Sequence, residues 1–600
     1  MTRDQIADKD KWVLEDLVKD EAQWKELTDR VRGNMNKLET YAGRLAESAE
    51  MLYEFLQLEM ETEEILDRLT VYSNERLHED TRVAESQARA EEPAKLFIRF
   101  GEAVSFADPE ILTLEESRLE EFYRKKPELQ LYKRYLSEIF RQKEHTLSDE
   151  KELLLAGAHE VAQASDDIFS MFNNADITFG TVKDEKGEEI PLTHGNYISL
   201  LKSRDREFRE RVFKQYYQSY IKMKNTLGAM FAANMKQDNY FAKVRKYSSA
   251  LEMHLDKNNI PETVFTNLIE AVHRHLPAMY RYMKLRKEKL GLKGLHMYDI
   301  AVPIVAEESR EISFAEAKET VKKALAPMGE EYLSILQEGF DGGWIDVYEN
   351  EGKRSGAYSW AAYGTHPYVL LNHQDTIDGM FTLAHEMGHA IHSYYSMEEQ
   401  PFVYSNYCIF VAEVASTCNE ALLTEYLLEH SKDEQEKLYI LNQQLEAFRT
   451  TVYRQTMFAE FEWIIHKRAQ EGEAVTAEEL SRIYHELNRL YYGEDVVSDE
   501  EIAMEWARIP HFYTPYYVYQ YATGYSAAVA FSQKILKEGE KAVEPYIRHF
   551  LKGGCSKDPI DLLALAGVDM RSPAAVEQAL EKFEKQLEIM EGMCKEFHKV

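Results

Sequence analysis

The chain has 600 residues, 44% of them hydrophobic and 30% charged, so it is long enough for several domains and can bury a large core. Its 105 acidic and 72 basic side chains leave a formal net charge of −33, which argues against nucleic acid and anionic membrane as partners. Solubility explains the acidity best; mild steering of cationic peptides is the functional alternative. The opening Met1-Thr-Arg-Asp-Gln-Ile-Ala-Asp-Lys-Asp is charged without an apolar stretch, no run reaches the length of a membrane span, and the four cysteines, Cys408, Cys418, Cys555 and Cys594, show no C-x-x-C spacing. A reduced, cytoplasmic protein is expected.

From Asp20 to about Met171 apolar residues recur three and four apart, as in Met51–Met60 and Tyr132–Phe140, which predicts helices broken at Ala107-Asp108-Pro109 and Lys126-Pro127. Ile177–Val182 and Ile190–Thr193, split by a polar turn, predict a β-hairpin over 177–193. Helices resume from about Asn196, with a soft domain boundary near residue 200. Gly342–Tyr348 and His366–Asn372 read as strands, and His366 and His373, which flank the second of them, could contact a substrate. Downstream, helical spacing runs over Leu441–His466 and Ala477–Tyr492. Ile509-Pro510-His511 breaks it and opens a Tyr-rich segment, Gly553-Gly554 marks a turn, and Ser572–Phe597 is amphipathic.

The most informative stretch is Asp378–His392. It contains His385-Glu386-Met387-Gly388-His389, an H-E-x-x-H, on a pattern with Asp378 as a possible cap and a broad apolar surface. Residues four apart lie one above the other on a helix, so two imidazoles can hold one Zn²⁺ while the intervening Glu reaches a water. A catalytic zinc usually takes three protein ligands. Glu413 sits among Phe410, Val411, Ala412, Val414 and Ala415 on a second apolar helical pattern, where an unpaired carboxylate is costly. Glu413 is therefore the third candidate ligand, and Glu420, two turns on, a candidate to support a ligand. The alternative is that Glu413 pairs with a Lys or Arg, or that both Glu residues face solvent. His392 shares the metal face, with a supporting role or core packing equally open.

This set resembles the thimet oligopeptidase and oligoendopeptidase F family of zinc metallopeptidases. His385-Glu386-x-x-His389 followed by Glu413 in Glu-Val-Ala-Ser-x-x-x-Glu420 carries the resemblance. Lys353–Ser359, Thr365–Asn372, His511–Tyr525 and the opening Lys11–Leu17 match the oligoendopeptidase F branch, so the likeness spans nearly the whole chain. It implies a mainly α, large multi-helix fold with a small β-sheet beside a deep active-site channel. An N-terminal domain over 1–200 and a catalytic domain over 201–600 are expected. It implies one Zn²⁺ per chain held by His385, His389 and Glu413, with Glu386 as general base. The strand matching 366–372 is expected to pair with an extended peptide. Oxyanion donors are expected from the Tyr-rich segment: Tyr519 first, then His511 and Tyr513. The loop between His511 and Tyr516 is shorter than in the thimet branch and lacks its glycine run. The expected activity is hydrolysis of internal bonds in short, unstructured oligopeptides, with no nucleic-acid or membrane partner; the oligomeric state is unknown from sequence. Two rivals are a dipeptidyl carboxypeptidase of the angiotensin-converting type, which shares H-E-M-G-H and a downstream Glu, and a peptide-binding protein without catalysis. The complete ligand set and the base count against the second.

Overall fold

The computed structural model describes residues 1–184, 186–306 and 310–596 and is 72% helical. The predicted last residue of the C-terminal helix, Phe597, and Glu185 of the hairpin turn lie outside the described residues. The chain forms two compact units, each discontinuous in sequence. The first combines Met1–Thr146, Ser309–Tyr426 and Phe531–Val568; the second combines Leu147–Glu308, Leu427–Ala530 and Asp569–Val600. These units interleave along the chain, whereas the 1–200 and 201–600 division follows family likeness alone.

Among the described residues, seven short strands accompany the helices: β1 (Thr181–Lys183), β2 (Glu189–Pro191), β3 (Leu295–His296), β4 (Ile345–Asp346), β5 (Tyr358–Trp360), β6 (Tyr368–Leu370) and β7 (Val496–Val497). β1 and β2 form the predicted antiparallel hairpin, with Val182 opposite Ile190. β3 and β7 make a two-residue parallel pair. The important sheet is β4-β6-β5 in the first unit. β6 is central, parallel to β4 and antiparallel to β5. This corrects the expectation that the 366–372 strand receives a peptide: both of its edges are already paired. The outer side of β4 is covered by the N-terminal segment, where the Val13 N–H donates to Gly343 O (2.9 Å) and the Val347 N–H to Asp10 O (3.0 Å). Gly343, at φ +74°, permits that approach, since a Cβ there would lie 2.6 Å from Val13 Cγ2. β5 is the remaining edge, and it lies against the helix Ile377–Glu399.

The sheet is locked by charge. Lys353 and Asp346 form a fully buried ion pair of 2.7 Å. Lys353 Nζ also donates to the carbonyls of Tyr348 (2.7 Å) and Leu371 (2.6 Å), so the ammonium is satisfied inside the core. Arg3 adds a second cation to Asp346 at 2.6 Å. Tyr358 on β5 donates to Glu75 (2.5 Å) and meets His78 Nδ1 (2.6 Å), which ties the edge strand to the long helix Ala49–Glu79. That helix belongs to a core that also buries Trp24, Val31, Leu52, Phe55, Leu66 and Phe100.

In the second unit, the helix Glu262–Lys289 packs on Ala574–Glu596, and Arg206–Lys222 on the 3-10 segment Glu500–Arg508. Buried Glu505 pairs with Arg454 (2.8 Å) and Arg508, so its cost of burial is shared by two guanidinium groups.

Two helices of the first unit make the closest backbone approach that matters for chemistry. Ile377–Glu399 meets Ile409–His430 at Gly388, where a Cβ would lie 2.5 Å from Ser416 Cα and 2.9 Å from Ser416 N. The obstacle is backbone, not the end of a flexible side chain, so it cannot swing away. Gly388→Ala is expected to destabilise the protein by about 1–3 kcal/mol, the usual cost of overpacking. It should also weaken binding of the candidate metal by separating Glu413 from the two histidines. Denaturation midpoints and metal titration of the variant check this; wild-type values in both would show that the helices can part without consequence.

Candidate metal centre and active-site residues

The helix Ile377–Glu399 buries Met380, Leu383, Ala384, Met387 and Ile391, which fixes its rotation and leaves His385 and His389 on one face. Its cap is Thr376, whose Oγ1 accepts the Gly379 N–H at 3.1 Å; Asp378 lies inside the first turn instead. Asn419 ties this helix to the second one: its Nδ2 donates to Ala384 O (3.2 Å) while its Oδ1 accepts from Tyr332 (2.8 Å). With the backbones held together at Gly388, Glu413 reaches both imidazoles.

His385 Nε2 lies 3.2 Å from His389 Nε2, and each nitrogen lies 3.3 Å from Glu413 Oε2. These three atoms form a nearly equilateral triangle. Three corners of a tetrahedron whose centre is about 2.0–2.1 Å from each lie about 3.3–3.4 Å apart, so the spacing and the N, N, O donor set fit a zinc ion with one position left open. Among the described residues, His385, His389 and Glu413 are the group that could hold a metal. His385 uses its other nitrogen, Nδ1, on Glu420, which fixes the ring and aims Nε2 at the centre. Ser416 Oγ donates to Glu413 Oε2 at 3.1 Å and orients that carboxylate.

The electrostatics follow from burial and pairing. Desolvation alone would raise the Glu413 carboxyl, but hydrogen bonds from His385 and His389 outweigh it and hold the group well below the carboxylate range. Desolvation would lower His385, and its bonds to Glu413 and Glu420 carry it up to about 10 instead. Glu386 is 6% exposed, and burial pushes its carboxyl above the ordinary range against the nearby imidazoles. Its Oε2 has no hydrogen-bond partner among the described residues. A carboxyl so placed is a ready proton acceptor for a water beside it.

The remaining predicted residues divide by environment. His392 is fully buried, stacked on Tyr407 (3.8 Å, 6°) and tilted on Phe550, with burial pushing it down to about 3; this is core packing. His366 stacks on Trp344 (5.5 Å, 1°) and reaches Asp16 at 3.2 Å. His373 has its ring edge on Phe314 at 5.0 Å, and its side chain is buried. His511, Tyr513 and Tyr519 belong to the second unit. Tyr519 is 3% exposed, set edge-on to Phe265 at 5.5 Å. Tyr513 stacks on Phe169 at 4.3 Å. His511 is exposed and groups with two tyrosines that sequence reasoning passed over. Tyr517 stacks parallel to it at 5.9 Å, and the Tyr521 hydroxyl lies 3.5 Å from His511 Nε2. Tyr517 lies just before the helix that begins at Tyr519 and Tyr521 lies in its first turn; both rings meet His511, while Tyr519 turns to Phe265.

The comparisons with known proteins identify the family. Residues 199–582 match the model of peptidase family M3, and residues 110–179 match that of oligopeptidase F. Oligopeptidase PepF of Bacillus subtilis is 49% identical over 591 residues, covering 98% of this chain and 88% of its own. A solved chain from Chlamydophila abortus superposes with a TM-score of 0.92 at 34% identity, covering 99% of each chain. The oligoendopeptidase-F structure from Enterococcus faecium gives 0.76 at 38% identity, covering 96% of this chain and 99% of its own. Among the described residues no helix is long and apolar enough to cross a membrane. A nearly full-length likeness at such identity, in a chain that also carries the His385, His389 and Glu413 cluster, leads to one conclusion: the chain belongs to peptidase family M3, in its oligoendopeptidase F branch, and is a metalloendopeptidase.

Proposed function

We propose that the enzyme is a zinc-dependent endopeptidase that hydrolyses internal bonds of short, unstructured oligopeptides in the cytoplasm. The observation that carries this reading is the triangle of His385 Nε2, His389 Nε2 and Glu413 Oε2 at 3.2–3.3 Å, with Glu386 buried beside it. A bound Zn²⁺ would supply Lewis-acid polarisation and bring the pKa of a water to about 7. His385, His389 and Glu413 hold the ion, and Glu420 and Ser416 keep two of those ligands oriented. Glu386 accepts the proton of the attacking water and returns it to the leaving amine.

The substrate reading rests on the sheet. β5 is an edge strand lying against the metal-binding helix, and an extended peptide can add to it through backbone hydrogen bonds. A folded protein has its own backbone already paired, and unfolding it first costs roughly 5–15 kcal/mol. The oxyanion donor is assigned to the His511–Tyr521 segment on the family resemblance. Within it, the accessible His511 and Tyr521 suit the role better than Tyr519, which packs in the core, or Tyr513, which stacks on Phe169. The free state of the four cysteines supports a reducing compartment.

A chelator should abolish cleavage of an internally quenched peptide blocked at both ends, and Zn²⁺ should restore it with one ion per chain. Full activity in metal-stripped protein would overturn the zinc assignment, and a requirement for a free C-terminus would favour an exo-acting dipeptidase. Glu386→Gln should keep zinc and fold while kcat falls by about 10²–10⁴-fold, whereas Glu413→Ala should lose metal affinity. Metal content and kcat measured on the same preparations separate the two roles. Tyr521→Phe should lower kcat by about 10²–10³-fold with little change in KM, and Tyr519→Phe should change kcat far less. The reverse order of effects would restore Tyr519 as the donor. A denatured, permanently unfolded protein should be cut and its folded form spared; interior cleavage of the folded form would refute the substrate reading.

A further inference from the structure

Three non-glycine residues among those described have positive φ: Lys246, Asn259 and Tyr516. Lys246 and Asn259 each follow the end of a helix, where a left-handed residue is an ordinary terminator. Tyr516 is different. It lies between the 3-10 turn Pro510–Tyr513 and the helix that starts at Tyr519, at φ +55°. A bulky residue in that region is an outlier, and it persists only where the surroundings over-determine it.

The surroundings are in place. The Tyr516 N–H donates to Glu462 Oε1 at 3.1 Å, a hydrogen bond with no solvent exposure. Glu462, on the helix Arg454–Gln470, is 0% exposed, and its other oxygen has no partner among the described residues. The Tyr516 ring is held by Phe265 (5.7 Å), His466 (5.2 Å) and His254 (6.0 Å). Both the ring and the backbone of this corner are therefore clamped. The next residue is Tyr517, stacked on His511, and Tyr521 follows within the first turns of the helix, its N–H bonded to Val518 O at 3.2 Å. The direction in which the chain leaves Tyr516 decides where these two phenols go.

We propose that Glu462 is a positioning residue for the His511–Tyr521 segment: its buried carboxyl accepts the Tyr516 N–H, holds the left-handed corner, and so sets Tyr517 and Tyr521 beside His511. A buried backbone N–H needs an acceptor, and Glu462 supplies it at the strained residue itself. Burial pushes the Glu462 carboxyl well above the usual carboxylate range, against the opposing hydrogen bond from Tyr516, and one of its oxygens accepts that bond while the other has no partner among the described residues. A glutamine amide reproduces that acceptor without charge. The proposal rests on the reading that this segment carries the oxyanion donor.

The test compares Glu462→Ala, Glu462→Gln and Tyr521→Phe with the wild-type, zinc-loaded enzyme on one quenched peptide. Misplacing a catalytic group by about 1 Å costs on the order of 10²-fold, so Glu462→Ala should lose about that in kcat while KM and zinc content stay unchanged. Hydrogen exchange in the 510–521 peptide should rise in the same variant. Glu462→Gln should retain kcat to within about threefold and keep the slow exchange. If the Ala variant does not fold, Glu462→Met, closer in volume, takes its place. Unchanged kcat in a folded Ala or Met variant overturns the proposal, as does a Gln variant as impaired as Ala. Failure of both Ala and Met to fold would also overturn it, because the residue would then serve the core as a whole. Loss in Tyr521→Phe without loss in Glu462→Ala refutes the positioning role alone. Loss in Glu462→Ala without loss in Tyr521→Phe keeps the positioning role and moves the donor to His511 or Tyr517.

Discussion

The candidate metal centre depends on two helix backbones touching at Gly388 and Ser416. Glu413 is three residues before Ser416, and His385 and His389 flank Gly388, so the contact places all three donor atoms around one point. Any side chain at 388 would have to displace backbone, because the nearest atoms are Ser416 Cα, Ser416 N and Ala415 O. The glycine inside the H-E-x-x-H is thus the condition for Glu413 to reach the two histidines. Asn419 reinforces the approach by bonding across to Ala384 O and taking a bond from Tyr332. The candidate ligands are partly buried, and each is partnered by another of them or by Glu420 or Ser416.

The sheet beside this centre is small, and three-residue strands have little stability of their own. Its rigidity comes from the buried Lys353–Asp346 pair, from Arg3 on the same carboxylate, and from the chain segment that covers β4. A buried ion pair offsets its desolvation only when the remaining donors are also satisfied, and Lys353 meets that condition with the backbone carbonyls of Tyr348 and Leu371, just past the adjacent strands β4 and β6. Covering one edge leaves β5 as the edge with unpaired backbone, next to the metal-binding helix. Tyr358, held by Glu75 and His78, keeps that strand from fraying.

The Tyr-rich segment divides its aromatic residues between the core and the group around His511. Tyr516 and Tyr519 turn into the core against Phe265, while Tyr517 and Tyr521 share the face that carries His511. The corner at Tyr516 makes that division possible, because a left-handed residue redirects the chain as it enters the helix.

The sequence by itself determined the helical character, the hairpin near 181–191, and a motif set whose family likeness the comparisons bear out. It also singled out His385, His389 and Glu413, because their signal is local: two histidines one turn apart, and a carboxylate on an otherwise apolar helical pattern. The structure brings these three side chains together. Other features were decided only by tertiary structure. Strand order is non-local, so the strand pattern at 366–372 could not say that β6 would be central and β5 the edge. Thr376 rather than Asp378 caps the metal-binding helix because the entering loop, not the residue type, sets which side chain meets the free N–H groups. That Tyr519 packs on Phe265 while Tyr521 meets His511 depends on distant segments, as does the role of Gly388, set by a crossing helix 28 residues away in sequence. Local periodicity encodes which residues share a face; what that face meets is settled only when distant segments pack, since burial is a property of neighbours and not of the residue itself.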